Sequence, residues 1–259
     1  MTYSQQKTVN KPGLNPHQRK AARIIDGPML VLAGAGSGKT RVITEKIAFL
    51  IGDCGITTSR IAAVTFTNKS AQEMKSRFKK LAGAKASRGL RVSTFHRLAL
   101  NILQKEYTAL DYKAGFSVFA GGDCITVLSE LLKVTGERGL DAAESAHWQI
   151  SQWKNDGIMP EQATLYAEDD RQFGIAKLYS QYQRQLHAYN AFDLDDLILQ
   201  TAHLFNTRKD ILEKWQHKIH YLLVDEYQDT NAVQYQIVKL LAEKRQCLTA
   251  VGDDDQSIY

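Results

Sequence analysis

The sequence predicts an α/β protein: a parallel sheet with helices on both faces, plus an inserted all-α subdomain. Three observations predict it. Short, nearly all-apolar runs at 29–33, 61–66, 90–93, 220–224 and 247–251 alternate with helical periodicity, and strands apolar on both sides are strands covered on both sides. The stretch from about 100 to 190 holds no strand-like run and reads as helix. The alternation then resumes, so the helical unit interrupts one sheet.

Each element has its own signal. The polar residues 1–13 are expected to be a disordered extension. The run 29–33 is bounded by Gly27-Pro28 and by glycines, as a buried strand is. Val42, Ile43, Ile47, Leu50 and Ile51 place a helix over 38–51. A strand at 61–66 leads into a helix over 68–81 that carries Ala71, Met74, Phe78 and Leu81 on one face, and 90–93 is the third strand. Helices at 123–134, 143–154 and 171–189 fill the insertion. A helix at 194–205, a strand at 220–224, a helix at 231–243 and a strand at 247–251 complete the order. The expected division is 14–100 and 191–259 as two parts of one sheet domain, with 101–190 as the insertion.

Composition bounds the class. With 44% apolar and 24% charged residues in 259, wholesale disorder is excluded. No apolar run is long enough to span a membrane, and the N-terminus shows no signal-peptide core. Cys54, Cys124 and Cys247 are widely spaced with no C-x-x-C, which argues against a disulfide framework or zinc knuckle and for a reducing, cytoplasmic compartment. The net charge is only +5, but residues 69–91 hold eight basic residues against Glu73 alone. That patch is either a solvated helix face with a lysine-rich loop or a seat for a polyanion.

Ala33-Gly34-Ala35-Gly36-Ser37-Gly38-Lys39-Thr40 follows a strand and opens a helix, the context a P-loop requires. Its backbone N–H groups and the helix N-terminus suit phosphate oxygens. Lys39 can reach the outer phosphates and Thr40 can ligate Mg²⁺. Arg41, next on the helix, is assigned to the nucleotide with them. Ala33 stands where the strict pattern has glycine. Asp225 and Glu226 end the strand at 220–224; Asp225 can hold Mg²⁺, and Glu226 can orient or deprotonate the attacking water. A third strand-end cluster, Gly252-Asp-Asp-Asp-Gln256, reads in isolation as a solvated loop, although Gln256 can sense a γ-phosphate.

Seven segments in order carry a family resemblance: LNPHQ at 14–18, AGAGSGKT at 33–40, AVTFTNKSAQEM at 63–74, STFH at 93–96, FDLDDLI at 192–198, LLVDEYQDT at 222–230 and AVGDDDQSIY at 250–259. The chain resembles the N-terminal portion of superfamily 1A ATP-dependent DNA helicases of the Rep/UvrD/PcrA type, the Rep branch most closely, from Leu14 onward. The resemblance implies a RecA-like P-loop NTPase domain 1A with a helical domain 1B inserted, ATP and Mg²⁺ as ligands, and 3′→5′ stepping along single-stranded DNA at forks, in replication or repair. It implies that Gln18 reads adenine. It places Thr65, Phe66, Thr67, Asn68, Thr94, Phe95, His96 and Tyr259 against single-stranded DNA, with Phe66 and Tyr259 as stacking aromatics. Gln228 and Asp229 would couple the acidic motif to the DNA face, and Gln256 would link to the γ-phosphate. The basic stretch at 69–91 fits phosphate contacts beside Phe66.

The family continues past Tyr259 into a second RecA-like lobe that completes the ATP site, and nothing of that lobe is in this sequence. The chain alone is therefore expected to fold, to bind Mg·ATP weakly and to unwind nothing. Replication or repair proteins are expected partners, no membrane is, and the chain is expected as monomer or dimer. Three other readings share some of the motifs: a nucleotide- and single-stranded-DNA-binding module without unwinding activity, part of a RecB/AddA-type helicase–nuclease, and a small-molecule P-loop kinase. The last has no need of the DEYQD and DDDQSIY segments.

Overall fold

A computed structural model describes residues 14–34, 36–134 and 140–253. The expected extension at 1–13 therefore lies outside the described residues, as do Ala35, Gln256 and Tyr259.

The chain opens with α1 (Pro16–Arg23), β1 (Met29–Leu32), α2 (Lys39–Gly52), β2 (Ile61–Thr65), α3 (Asn68–Ala86), β3 (Arg91–Thr94) and α4 (Phe95–Glu106). The insertion follows with β4 (Ser117–Phe119), α5 (Gly121–Val134), α6 (Leu140–Asn155) and α7 (Asp170–Ala188). The chain returns through β5 (Ala191–Asp193), α8 (Leu194–Thr207), α9 (Lys209–Lys218), β6 (Tyr221–Val224), α10 (Ala232–Glu243) and β7 (Leu248–Gly252). Among the described residues no helix is long and apolar enough to cross a membrane.

Five strands form one all-parallel sheet in the order β1-β7-β6-β2-β3. Side chains alternate across a strand, so Ile61, Ala63, Tyr221 and Leu223 pack with Ile43, Ile47 and Leu50 of α2 and Met74 and Phe78 of α3. Ala62, Val64, Leu222 and Val224 pack on the opposite face with α4, α8, α9 and α10. Every residue of β2 and β6 is buried, which explains why both read as continuous apolar runs.

The insertion has its own core, built by Leu128, Ala146, Ile150, Trp153, Tyr179 and Tyr182 of α5, α6 and α7. It is helical except for β4, which pairs in parallel with β5. Three residues are too short a run for periodicity to show. Three helices also escape the sequence pattern: α1, α4 and the ten-residue α9, whose Ile211, Leu212 and Trp215 are buried in the sheet-side core. The start of α1 is set by a capping box: Asn15 accepts from the Gln18 amide, Gln18 accepts in turn, and Pro16 fills the first turn. Its apolar content is slight, with Ala22 its buried residue. The second, α4, runs across the expected boundary at 100, and its Ile102 and Leu103 lie in the sheet-side core, as does Tyr112. The helical run α3 carries a break at Gly83 (φ +84°), two residues past the expected end at 81.

Candidate active site

In a parallel sheet all strands deliver their carboxyl ends to one edge, where ligands of such folds bind. Here β7 lies between β1 and β6, so the loops after these three strands meet. The loop after β1 starts with the Ala33 amide donating to the Gly252 carbonyl at 3.0 Å. Gly36 (φ +69°) and Gly38 (φ +87°) take left-handed conformations that close the loop over the helix start. A Cβ at Gly36 would meet nothing within 4 Å, so conformation rather than crowding demands glycine there, and the space above it is open. Gly38 is the N-cap of α2 and supplies no side-chain cap, which leaves the first N–H groups of the helix available to an anion.

Lys39 sits among carboxylates. Its Nζ donates to Asp253 Oδ2 at 3.1 Å and lies 3.6 Å from Glu226 Oε2. Thr40 Oγ1 donates to Asp225 Oδ2 at 3.3 Å. Burial, reinforced by the neighbouring Glu226, pushes the Asp225 carboxyl up to about 6. Glu226 adopts φ +52°, ψ +49°, and a left-handed non-glycine residue costs about 1–2 kcal/mol. The turn is held by Gln228, whose Nε2 donates to Glu226 Oε2 at 2.9 Å and whose Oε1 accepts the Asp253 amide at 3.0 Å. A Cβ at Gly252 would stand 2.9 Å from that Oε1, so a side chain there would displace the brace. Burial, then the Glu226 charge, raises the Asp229 carboxyl, and its Oδ1 is buried with no hydrogen-bond partner.

Gln18 is engaged at both ends of its amide. It accepts the Asn15 N–H at 2.8 Å and donates to the Ser37 carbonyl of the glycine-rich loop at 2.6 Å. In this conformation it braces that loop. Lys46 of α2 holds the far end of α1 by donating to the Ala21 and Ile24 carbonyls. Arg41 is exposed on the first turn of α2.

The residues expected against DNA divide. Phe66, just past β2, is 40% exposed, which makes it a surface aromatic rather than a core one. Thr67 and Asn68 are exposed beside it, and Thr67 Oγ1 accepts the Ser70 amide at 3.0 Å. Burial sets three of them apart. Thr65 is fully buried because it still belongs to β2, between two covered faces. Phe95 is a core residue packed with Ala62 and Val64. Thr94 is buried and caps α4, accepting the Arg97 amide at 3.2 Å. His96 is half-buried, and desolvation lowers its pKa against an opposing pull from Asp195.

Asp253 is the residue sequence reasoning passed over. It stood in an acidic cluster read as solvated, yet it is fully buried and pairs with Lys39. The available signal was its place at the end of an apolar run; only the strand order shows that this run lies beside the glycine-rich loop.

Residues 14–259 match the family described as UvrD/REP helicase N-terminal domain. The chain belongs to the UvrD/REP helicase family. It is 51% identical over 246 residues to the ATP-dependent DNA helicase Rep of Escherichia coli, covering 95% of this chain and 37% of that protein. It is 50% identical to Rep of Salmonella typhimurium over 95% of this chain and 36% of that protein. With the ATP-dependent DNA helicase PcrA of Bacillus subtilis it shares 41% identity over 95% of this chain and 33% of the relative. The chain thus spans little more than a third of the length of the curated relatives it matches.

Proposed function

We propose that this chain is the nucleotide- and single-stranded-DNA-binding part of an ATP-dependent DNA helicase of the Rep/UvrD type that steps 3′→5′ in replication or repair. The observation that carries the reading is the meeting of Lys39 and Thr40, at the start of α2, with Asp225, Glu226 and Asp253 at the ends of the two adjacent strands. A kinase-like P-loop site has no use for the Phe66 platform or for the Gln228 brace that ties the acidic turn to β7.

The residues fit a magnesium-bound nucleoside triphosphate. The open left-handed loop at Gly36 and the uncapped start of α2 suit phosphate oxygens. Thr40 and Asp225 offer two hard oxygen donors, and among the described residues no cluster of three or more His, Cys, Asp or Glu could hold a metal. That arrangement suits Mg²⁺, which keeps waters and substrate oxygens in most of its positions. When bound, the cation neutralises phosphate charge. Lys39 exchanges its carboxylate partners for phosphate oxygens. Asp225 gives up its raised affinity for a proton, and Glu226 accepts or orients the proton of the attacking water. Phe66 stacks a base, and the exposed lysines of α3 meet phosphates.

The same reading assigns the sheet to domain 1A and the core of α5, α6 and α7 to domain 1B, with the junction after α4. Three free thiols, at Cys54, Cys124 and Cys247, suit a reducing cytoplasm. The test is Lys39→Ala in the full-length protein, assayed together for ATP hydrolysis and thermal melting. Hydrolysis is lost while the protein still folds, with a lowered melting temperature because Asp253 is left buried without its cation. Normal hydrolysis by a folded Lys39→Ala protein refutes the assignment.

A further inference from the structure

The end of α6 is joined to the acidic turn of the ATP site by a hydrogen-bonded relay that the proposed chemistry does not use. Asn155, the last residue of α6, donates through Nδ2 to the Ser151 carbonyl at 2.8 Å and to Asp195 Oδ1 at 3.3 Å. Ser151 Oγ donates to the other Asp195 oxygen at 2.7 Å. Asn155 Oδ1 accepts from Asn231 Nδ2 at 2.5 Å. Asn231 Oδ1 in turn caps α10 by accepting the Gln234 amide at 2.9 Å. Both amide side chains are therefore used at both ends, which fixes their orientation. A second approach supports the first: the Cβ position of Gly157, just beyond α6, lies 3.4 Å from Val233 Cγ2 of α10.

Asn231 follows directly on the turn that holds Glu226. In that turn the Asp229 amide donates to the Glu226 carbonyl at 3.0 Å, and the Thr230 hydroxyl donates to the Tyr227 carbonyl at 2.7 Å. Gln228 then ties Glu226 to the amide of Asp253, the partner of Lys39. On the other side, Asp195 stands at the first turn of α8, near His96. Every link from the inserted helices to the strained left-handed Glu226 is thus a directional contact between otherwise rigid elements. A strained residue keeps its conformation only while its surroundings over-determine it.

We propose that Asn155 is a positioning residue: through Asn231, the helical insertion sets the conformation of the acidic turn at 225–230. A displacement of α6 relative to α8 then changes how Glu226 is presented, with no contact between the insertion and the nucleotide. This rests on the proposed ATPase function only for its kinetic consequence. The mechanical link stands on the hydrogen bonds.

The test compares wild type, Asn155→Ala and Asn231→Asp in the full-length protein. Asn231→Asp keeps the oxygen that caps α10 at the Gln234 amide and removes the donor to Asn155. Amide hydrogen exchange over 226–231 and steady-state ATP hydrolysis are both measured. Asn155→Ala is expected to speed exchange in the turn and to lower kcat about tenfold, while KM for Mg·ATP stays within about twofold. Asn231→Asp is expected to reproduce both changes. Unchanged exchange and kcat in Asn155→Ala overturn the proposal, as does an Asn231→Asp protein that matches the wild type in both. If the full-length wild type hydrolyses no ATP, the function proposed above fails, and the exchange comparison by itself decides the link.

Discussion

Asp225 and Glu226 are consecutive, yet the backbone gives them different work. Asp225 is still in register with the sheet, its amide bonded to the Val64 carbonyl at 2.8 Å, and its oxygen meets Thr40. Glu226 is turned by its left-handed conformation toward Lys39 and Gln228. The two carboxylates therefore separate under substitution. Asp225→Asn weakens Mg²⁺-dependent nucleotide binding, because the amide offers no charge to the cation. Glu226→Gln keeps Mg·ATP affinity and loses turnover, because shape survives and basicity does not. Nucleotide titrations with and without Mg²⁺, set beside turnover, check the pair; identical behaviour of the two variants rules the division out. At this scale the motif types were readable in the sequence, including both carboxylates and the GKT of the loop. The bonds of Gln18 and Gln228 were not, because an amide's partners depend on which loops the fold brings near.

At the scale of elements, α3 is the clearest case of one helix with two contrasting faces. Ala71, Met74 and Phe78 are buried against the sheet, while Lys69, Lys75, Arg77, Lys79 and Lys80 are exposed. Phe66 lies two residues ahead of this helix, so an exposed aromatic precedes a helix whose exposed positions are rich in cations. Phe66→Ala is expected to weaken single-stranded DNA binding by about 1–3 kcal/mol with little sequence preference. Replacing Lys75, Lys79 and Lys80 by Gln lowers the salt slope of log K by about 0.7 for each phosphate that the side chains no longer neutralise. Fluorescence-anisotropy titrations over a range of salt concentrations measure both. An unchanged slope returns this face to plain solvation, and a Phe66→Ala protein that unfolds makes that ring structural. The strong periodicity of α3 announced the helix. In α1 the signal was a cap rather than a stripe, and in β4 it was three residues long, so neither stood out from its neighbours.

For the whole molecule the decisive feature is the buried junction between the insertion and the sheet domain. Lys154 of α6 is fully buried and bonds to Asp193 at 2.7 Å and Asp196 at 2.8 Å, under the rings of Tyr179 and Tyr182. Burial alone lowers an ammonium pKa; here the two carboxylates outweigh it and the net shift is upward. Asp196 is itself pushed up by burial and by Asp193. Lys154→Met leaves two carboxylates buried without their cation and is expected to destabilise the fold by about 3–5 kcal/mol at neutral pH. The sign of its pH dependence follows. Without Lys154 both carboxyls have raised pKa values, so the variant's stability is fully present below about pH 4. It is lost as pH rises through the raised values. Denaturant melts at pH 5 and pH 8 check this: the gap to wild type is narrower at pH 5, and an equal gap at both pH values contradicts it.

The sequence by itself determined the five parallel strands, most of the helices that flank them, the helical stretch between them and the glycine-rich loop after β1, because each is written in local periodicity or in a short run of fixed residue types. It also determined family membership, through motifs that stand in one order along the chain. The tertiary structure alone decided what meets what. Asp253 reaches Lys39 because β7 lies beside β1; Thr65 and Phe95 leave the surface because their strand end and helix start are covered; Lys154 and Asn155 find partners about forty and seventy-five residues away. Local pattern fixes which face of an element is apolar, whereas the pairing of polar groups across elements is set by strand order and packing, which no local window contains.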